Sequence, residues 1–366
     1  MAAGRAVEML VNAKAWRDRS VLVTGHTGFK GGWLSLWLNE LGARVAGLAL
    51  PPPTDPSLFE QARLGQLLDH RLGDIRDLAT VRAAVDQVQP EVIFHLAAQP
   101  LVRYSYQNPV ETYATNVMGT VHVLEAARLN PAVKAVVCIT TDKCYENREW
   151  VWPYRENDPM GGFDPYSSSK GAAELVIAAW RRSYPDAPRL ASVRAGNVIG
   201  GGDWAADRLV PDIVRALLRN EQVEIRNPGS IRPWQHVLEA IGGYLLIGER
   251  LLAGDRAAAS AFNFGPGDDD TRPVAWVVDH MLASWGGGLG WTQPEAPQPH
   301  EATLLRLDCS KARAELGWRP RLGLAEALDK VVDWHRRVAS GDDARSVTIE
   351  QIADYAARPL PAEPVA

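Results

Sequence analysis

The chain has 366 residues, of which 46% are hydrophobic, and its 39 basic and 44 acidic residues give a formal charge of -5. This length suits one large domain, or a main domain with a smaller partner. The mild charge argues against a nucleic-acid partner, and no run reaches the roughly 18 apolar residues of a membrane helix. Three cysteines without metal-ligand spacing predict a cytoplasmic protein with no bound metal.

The first predicted element is a short apolar strand at Ser20–Thr24, and a glycine loop follows it directly. A helix is predicted over 32–41 with Gly42 as its C-cap, and a second strand over 44–50. In such a βαβ unit, glycines let the backbone approach a pyrophosphate at the helix N-terminus. The loop residues predicted to bind a dinucleotide cofactor are Gly25, Thr27, Gly28, Phe29, Lys30 and Gly31.

The region after the second strand lacks the acid that usually meets the ribose hydroxyls of NAD. Three prolines at 51–53 stand there instead, and Asp55 is the nearest acid. No arginine indicates NADP either, so this strand end leaves the choice between NAD and NADP open. For Lys30, two interpretations stay open, namely contact with a phosphate or exposure to solvent.

Strands and helices continue to alternate along the chain, with strands at 91–96, 134–139 and 189–194 and helices at 109–129 and 166–183. This alternation predicts an α/β fold with a Rossmann-type, doubly wound parallel sheet. Asp74, which follows the third strand, is placed to meet the adenine edge, and the alternative is that Asp74 or Asp77 caps the next helix. The other residues predicted to line the cofactor site are Ile75, Ala97, Ala98, Gln99 and Asn116.

The pattern changes after Asn197, where the glycines at 200–202 predict a flexible joint. Beyond it we expect a smaller, discontinuous substrate domain, followed by an Ala/Pro-rich tail that is loosely ordered. The predicted division is a cofactor domain at 16–199 with returns near 232–264, a substrate domain at 200–231 and 265–340, and the loose tail at 342–366.

Two short motifs carry the catalytic prediction. Thr141, Asp142 and Lys143 directly follow a buried strand, so Thr141 can share the substrate oxygen with a neighbouring base. Tyr166 and Lys170 stand four residues apart on one face of a helix. A tyrosine is a poor base at its reference pKa of ~10. The ammonium one turn away and the positive ring of an oxidised nicotinamide are expected to lower that pKa.

These motifs resemble the extended short-chain dehydrogenase/reductase superfamily and, within it, the nucleotide-sugar 4,6-dehydratases. The resemblance covers about 16–337. The motifs that carry it are VTGHTGFKG at 23–31, HLAAQP at 95–100, TDKCY at 141–145, YSSSK at 166–170, RAGNVIGGGDW at 194–204, RPWQHV at 232–237 and HEA at 300–302. The triplet at 141–143 is the most selective motif, because dTDP- and GDP-sugar dehydratases usually carry Glu at Lys143 and epimerases lack the acidic pair.

The resemblance implies a hydro-lyase that uses NAD to convert CDP-glucose to CDP-4-keto-6-deoxyglucose, for the deoxysugars of surface polysaccharide such as lipopolysaccharide. It implies that Tyr166 takes the proton of the C4 hydroxyl while Lys170 and Thr141 hold the oxygens. Asp142 then protonates the departing C6 hydroxyl. Lys143 either removes the C5 proton as a neutral amine or stays charged and stabilises the enolate. Of these we favour the base.

Binding of the diphosphate requires cations, because guanidinium groups match phosphate oxygens. Arg232 is the first candidate, followed by Arg208 and Arg194, although Arg194 also suits a structural ion pair. Asn197, at a strand end, is predicted near the sugar, and His300 is predicted to close on the nucleotide.

The resemblance also implies a homodimer in which the helices at 109–129 and 166–183 form a four-helix bundle. Leu175 and Val176 offer an apolar face for it, but that face equally suits the sheet. Asn116 is interpreted mainly as a support for the catalytic lysine. The alternative functions are an NDP-sugar 4-epimerase, a dehydratase of another NDP-hexose, and a nucleotide-binding protein without catalysis.

Overall fold

The structure is a computed structural model that describes residues 10–267, 270–286, 288–294 and 304–360. The strands are β1 (Ser20–Thr24), β2 (Arg44–Ala49), β3 (Asp69–Leu72), β4 (Val92–His95), β5 (Ala135–Ile139), β6 (Arg189–Ala195), β7 (Val198–Ile199), β8 (Val223–Glu224), β9 (Ile231–Arg232), β10 (Gln235–His236), β11 (Ala261–Phe264), β12 (Arg272–Pro273) and β13 (Trp291–Thr292). The helices are α1 (Ala13–Trp16), α2 (Phe29–Glu40), α3 (Leu58–Gln61), α4 (Leu78–Val88), α5 (Val102–Gln107), α6 (Pro109–Tyr113), α7 (Gly119–Leu129), α8 (Pro165–Ser183), α9 (Leu209–Leu218), α10 (Val237–Leu252), α11 (Val274–Trp285), α12 (Leu324–Ala339) and α13 (Ala344–Ala356). Short 3-10 turns lie at Leu64–Gln66 and Asp142–Cys144, and π-helical turns at Ala114–Met118 and Ala312–Leu316.

A seven-stranded sheet forms the centre of the molecule. Its order is β11-β6-β5-β4-β1-β2-β3, and every neighbouring pair is parallel. The strand order reverses between β1 and β4, which is where open α/β sheets place a ligand crevice. The predicted Rossmann-type, doubly wound sheet is therefore confirmed. Shorter strands pair outside it, β7 with β10, β8 with β13 and β9 with β12.

Helices cover both faces of this sheet, which explains why its central strands are apolar on both sides. Every residue of β1 and β5 is buried. The core on one face contains the fully buried Trp33 and Trp334, and the core on the other contains Leu22 and Val123. A third core joins α9, α11 and α12 beyond the sheet. Among the described residues, no helix is long and apolar enough to cross a membrane.

Helix α2 begins three residues earlier than predicted, directly after Gly28. The Gly32 amide donates to the Gly28 carbonyl at 2.8 Å, so the glycine loop already contains the first helical turn. A Cβ on Gly31 would lie 2.1 Å from the Gly25 carbonyl oxygen, so this tight turn requires glycine there. The early start brings the amides of Phe29 and Lys30 to the helix N-terminus.

The prediction of a loosely ordered tail is wrong for helix α13. Asp343 caps this helix by accepting from the Ser346 amide at 2.9 Å. On its inner face, Tyr355 is fully buried and donates to Glu239 at 2.8 Å, while Thr348 accepts from the Trp334 indole at 2.9 Å. The sequence pattern does not reveal this helix, because its buried face mixes the apolar Val347, Ile352 and Tyr355 with the polar Thr348 and Gln351. Residues 361–366 lie outside the described residues.

Candidate active site

A cleft opens at the carboxyl ends of the central strands, between the glycine loop and the region beyond β6. The predicted catalytic residues Thr141, Asp142, Lys143 and Tyr166 all line it, together with Lys30 and Arg232. Parallel strands end at one edge of a sheet, so motifs far apart in sequence meet there. The structure thus brings both catalytic motifs and the glycine loop into one site.

The glycine loop fits the pyrophosphate of a dinucleotide. Gly25 has φ +79°, and a Cβ on it would lie 2.7 Å from the Ala97 nitrogen, so two backbones approach closely there. Gly28 is the N-cap of α2 and provides no side-chain acceptor, which leaves the first helical amides for an anion. Thr27 instead donates its hydroxyl to the Leu50 carbonyl at 2.9 Å and ties the loop to the end of β2.

Lys30 extends from the first turn of α2 into the cleft. Lys30 is partly buried in the cleft wall, so both interpretations stay predictions. Burial lowers the pKa of Lys30 to about 7, and the positive charges of Arg208 and Lys170 lower it further, although Asp142 and Asp203 oppose them. The ammonium of Lys30 thus lies among other charges of the site, and its contact with a cofactor phosphate stays a prediction.

Asp74 and Ile75 follow β3 at the edge of the sheet. Asp74 accepts from both the Arg76 amide and its guanidinium, each at 2.8 Å, and the hydrogen bond from the Arg76 side chain lowers the pKa of Asp74. Helix α4 is capped by Asp77, which accepts from the Ala79 amide at 3.0 Å. Of the two predicted caps, Asp77 is therefore confirmed and Asp74 is wrong, and the contact of Asp74 with adenine stays a prediction. Ile75 is buried in the core.

The predicted long helix over 109–129 is confirmed, and it contains a π-helical turn at Ala114–Met118 between its α-helical parts α6 and α7. Inside that turn, Asn116 accepts from the Gln99 amide at 2.8 Å and donates to its carbonyl at 3.1 Å. Asn116 also donates to the Ser169 hydroxyl at 2.9 Å, which in turn donates to the Tyr166 carbonyl. Asn116 therefore joins the loop after β4 to the catalytic helix, and π turns often mark such sites.

Asp142 lies buried in the cleft, in a short turn directly after Thr141. Thr141 caps the 3-10 turn that contains it, and the Thr141 hydroxyl donates to Asp142 Oδ1 at 2.9 Å. Asp142 is only 2% exposed, and its Oδ2 has no hydrogen-bond partner among the described residues. Burial raises the pKa of Asp142, although Lys143, the Thr141 hydrogen bond and Arg232 oppose the rise. Its carboxyl group is thereby biased towards carrying a proton.

Tyr166 and Lys170 lie on the inner face of α8, as predicted, and both are buried. Burial raises the pKa of Tyr166 to about 12, because desolvation outweighs the lowering effects of the Thr141 hydroxyl and the Arg208 charge. The expected lowering is therefore wrong for the protein alone. Burial also lowers the pKa of Lys170 to about 8, and its Nζ lies 3.5 Å from the Ile139 carbonyl oxygen.

Arg194 is a structural residue, so its prediction as a phosphate ligand is wrong. Its Nη2 lies 2.8 Å from Glu174, and the two side chains are only 5% and 3% exposed. Glu174 also accepts from Thr140 at 2.5 Å and Ser192 at 2.9 Å. Although burial opposes it, the Arg194 charge lowers the pKa of Glu174. The network holds α8, β5 and β6 together behind the triplet. Sequence analysis missed Glu174, although it stands four residues after Lys170.

The remaining substrate candidates line the same cleft, with one exception. Arg232 is buried, and its positive charge acts to lower the pKa of Asp142. Arg208 forms an ion pair with Asp203 at 3.1 Å and also lies near Tyr166. Asn197 lies in the cleft wall. His300 lies outside the described residues.

A parallel sheet with a glycine loop and a Tyr-x-x-x-Lys pair at its ligand edge defines a dinucleotide-dependent enzyme of the short-chain dehydrogenase/reductase type. The model of the NAD dependent epimerase/dehydratase family matches residues 21–265, and the chain belongs to this family. Its cofactor is NAD. The glycine loop, the free amides of α2 and the loop at Ala97 fit that cofactor.

Within this family, the chain is 54% identical over 353 residues to the CDP-glucose 4,6-dehydratase of Salmonella typhimurium, covering 94% of this chain and 98% of that protein. It is 30% identical over 325 residues to the UDP-glucose 4-epimerase of Mycolicibacterium smegmatis, covering 86% and 98%. The solved structure of Thermus thermophilus UDP-glucose 4-epimerase in complex with NAD superposes with a TM-score of 0.73 at 25% identity, covering 86% and 98%.

Proposed function

We propose that this protein is a hydro-lyase that converts CDP-glucose to CDP-4-keto-6-deoxyglucose and water. The observation that carries the proposal is the shared cleft, in which the acid Asp142 and the amine Lys143 lie beside Tyr166. An epimerase needs only the tyrosine–lysine pair, whereas an elimination also needs an acid and a base. The 54% identity to a CDP-glucose 4,6-dehydratase supports the same reaction and the same nucleotide.

The first step requires removal of the proton from the C4 hydroxyl. Tyr166 accepts this proton, while Thr141 shares the substrate oxygen and Lys170 supplies a positive charge from the next turn of α8. The glycine loop and the loop at Ala97 would hold NAD, which would supply hydride acceptance from C4, hydride return to C6 and a positive ring charge that favours the Tyr166 phenolate. The residues Gly25, Gly28 and Ala97 hold the cofactor in this proposal.

The elimination follows from the C4 ketone, which makes the C5 proton acidic because the charge spreads onto an enolate oxygen. Asp142 gives its proton to the C6 hydroxyl, which leaves as water. Lys143 removes the C5 proton as a neutral amine, or else it stabilises the enolate as an ammonium. We favour the base. The Oδ2 atom of Asp142 has no hydrogen-bond partner among the described residues. A proton on this atom is therefore available to the departing C6 hydroxyl, which supports the proposed role of Asp142 as the acid.

Arg232 and Arg208 are the proposed ligands of the substrate diphosphate, and Asn197 the proposed contact of the sugar. All three line the cleft. The proposal keeps His300 as a contact of the nucleotide. It also keeps the division into a cofactor domain at 16–199 and a substrate domain assembled from later segments.

We also propose a homodimer formed by α6, α7 and α8 of two copies. Apolar side chains stand out from these helices, with Val110 83% and Leu175 61% exposed, and Met118 in the π-helical turn between α6 and α7 is also exposed. Patches of this kind on otherwise polar surfaces often mark interfaces. Leu175→Glu should shift the protein to monomers in light scattering. A dimer that persists unchanged would contradict this interface.

A role in deoxysugar synthesis for surface polysaccharide and a cytoplasmic location complete the proposal. The location is supported by Cys138, Cys144 and Cys309, which are all free thiols. The function is tested by incubating the protein and NAD⁺ with CDP-glucose, and separately with UDP-, dTDP- and GDP-sugars, and measuring the alkaline absorbance of a 4-keto-6-deoxy sugar. Product from CDP-glucose alone is expected. Product from another nucleotide would contradict the CDP assignment, and epimerised sugars would contradict dehydration.

A further inference from the structure

At the mouth of the cleft, two arginines converge on one carboxylate. Arg103 is on α5, beside the catalytic helix, and Arg226 follows β8 on the opposite wall. Each places one guanidinium nitrogen 3.4 Å from the same oxygen, Asp207 Oδ1. Arg226 also lies 3.8 Å from Asp212. All four side chains line the cleft that contains the catalytic triplet.

We propose that Asp207 stands in for a substrate phosphate: it holds Arg103 and Arg226 until the diphosphate of the nucleotide sugar replaces it. Arg103 and Arg226 are thus substrate-binding residues in addition to Arg232 and Arg208. This inference rests on the proposed function, because it takes a nucleoside diphosphate sugar as the ligand.

The geometry of the two ion pairs supports an exchange. A single carboxylate oxygen serves two guanidinium groups at 3.4 Å, longer than the usual 2.7–2.9 Å of charge-assisted bonds. Asp207 is also 46% exposed, so each pair is weak. A diphosphate offers more oxygens and more charge, and guanidinium groups bind phosphate in a bidentate manner. The two arginines therefore gain stronger contacts when the substrate replaces Asp207.

The charge of the cleft provides a second argument. Asp207 and Asp212 are acids in a site that must accept a dianion, and unpaired carboxylates there would repel it. Arg103 and Arg226 neutralise Asp207 before binding, and Arg215 together with Arg226 neutralises Asp212. After exchange, Asp207 is free to turn towards solvent. Its backbone has φ +60°, an uncommon conformation for a residue with a side chain, on the connection between Asp203 and α9.

The substitution Asp207→Asn tests the exchange. Asparagine tolerates a positive φ at least as well as aspartate, so the backbone is preserved. It removes the charge that competes with the diphosphate. We expect Asp207→Asn to bind CDP about two- to fivefold more tightly than the wild type, the effect of losing weak exposed ion pairs. The KM for the nucleotide sugar should fall by a similar factor with kcat nearly unchanged.

A double-mutant cycle separates exchange from long-range electrostatics. In the Arg103→Met/Arg226→Met background, CDP should bind about tenfold more weakly, and Asp207→Asn should then have no further effect. If Asp207→Asn raised the affinity for CDP equally in the wild-type and the double-mutant protein, Asp207 would act only through its charge at a distance, and the proposal would be overturned. Glu221→Gln, which removes a surface charge paired with Arg219 at 4.0 Å, is the matched control and should leave CDP affinity unchanged.

The binding of CDP is measured by titration calorimetry, so the result does not depend on turnover. If Asp207→Asn lowered the melting temperature without raising the affinity for CDP, the ion pairs of Asp207 would be purely structural, and the proposed exchange would be overturned. Absence of CDP binding in every variant would overturn it as well. If the wild-type protein bound CDP but formed no keto product, the proposed function would be contradicted. The CDP affinities of the variants would still decide whether the exchange occurs.

Discussion

The substitution Asp142→Asn tests the proposed general acid directly. The amide has nearly the same shape as the carboxyl group, and it can still accept the 2.9 Å hydrogen bond from Thr141. It cannot deliver a proton to the departing C6 hydroxyl. Removal of general-acid catalysis typically costs 10²–10⁴-fold in rate, so we expect the dehydration rate to fall by about that factor, or roughly 3–5 kcal/mol in the barrier.

The fold should tolerate this change. Asp142 is buried and burial raises its pKa, so the folded protein disfavours the carboxylate, and a neutral amide removes that cost. We therefore expect the free energy of unfolding of Asp142→Asn to equal or exceed that of the wild type. Urea denaturation measures it. Asp255→Asn, at a surface pair with Arg250, is the matched control and should change neither rate nor stability.

Two assays run in parallel identify the step that is lost. The alkaline absorbance of the keto sugar reports dehydration, and the absorbance of NADH reports C4 oxidation. Asp142→Asn should oxidise the substrate and accumulate NADH while forming little 4-keto-6-deoxy product. A variant that retains more than about a third of the wild-type dehydration rate would refute the acid role, since general-acid catalysis contributes far more than that. Equal loss of both signals would also refute it.

Three further predictions follow from the site and the fold. Lys143→Arg should lose exchange of the C5 proton with solvent deuterium as completely as Lys143→Met, because a guanidinium cannot act as a neutral base. If Lys143→Arg retained this exchange, the result would favour the electrostatic role of Lys143. Glu174→Gln should lower the free energy of unfolding by about 3–5 kcal/mol in urea, because the buried Arg194 loses its carboxylate and keeps only the neutral oxygens of Tyr145 and Glu156. A change below about 1 kcal/mol would contradict this. Burial raises the pKa of Glu239 from 4.5 to about 7, so the folded protein binds this proton more tightly than the unfolded chain does. The stability that Glu239 contributes is thus fully present below pH 4.5 and is lost as the pH rises to about 7. The free energy of unfolding, measured in urea at each pH, should fall by up to about 3 kcal/mol over this range. Glu239→Gln should not show this dependence on pH.

The strands and the catalytic motifs were predictable because their signals are local. The strand β1 is an uninterrupted apolar run that ends at a glycine loop, and α8 has a tyrosine and a lysine one turn apart. Parallel strands then bring their carboxyl ends together whatever the loop lengths are. This rule places Thr141, Asp142 and Lys143 at the edge of the sheet, and Tyr166 joins them from the first turn of α8.

Other features depend on tertiary contacts that no local pattern reports. The ion pair of Arg194 and Glu174 joins β6 to α8, and only the packed fold makes it a structural pair. Helix α13 is stabilised by burial of Tyr355 against Glu239, although its composition suggested a loose tail. The pKa of Tyr166 depends on how much water burial removes, and the sequence shows only the nearby charges.

Transfer of an isotope within one sugar tests the central claim most directly. The protein and NAD⁺ are incubated with CDP-glucose that carries deuterium at C4, and the product is analysed by mass spectrometry and NMR. Dehydration by transient oxidation predicts a 4-keto-6-deoxy sugar with the deuterium at C6 and with a solvent proton at C5. Deuterium that stays at C4, or returns there with inverted configuration, would contradict the account and identify a different reaction.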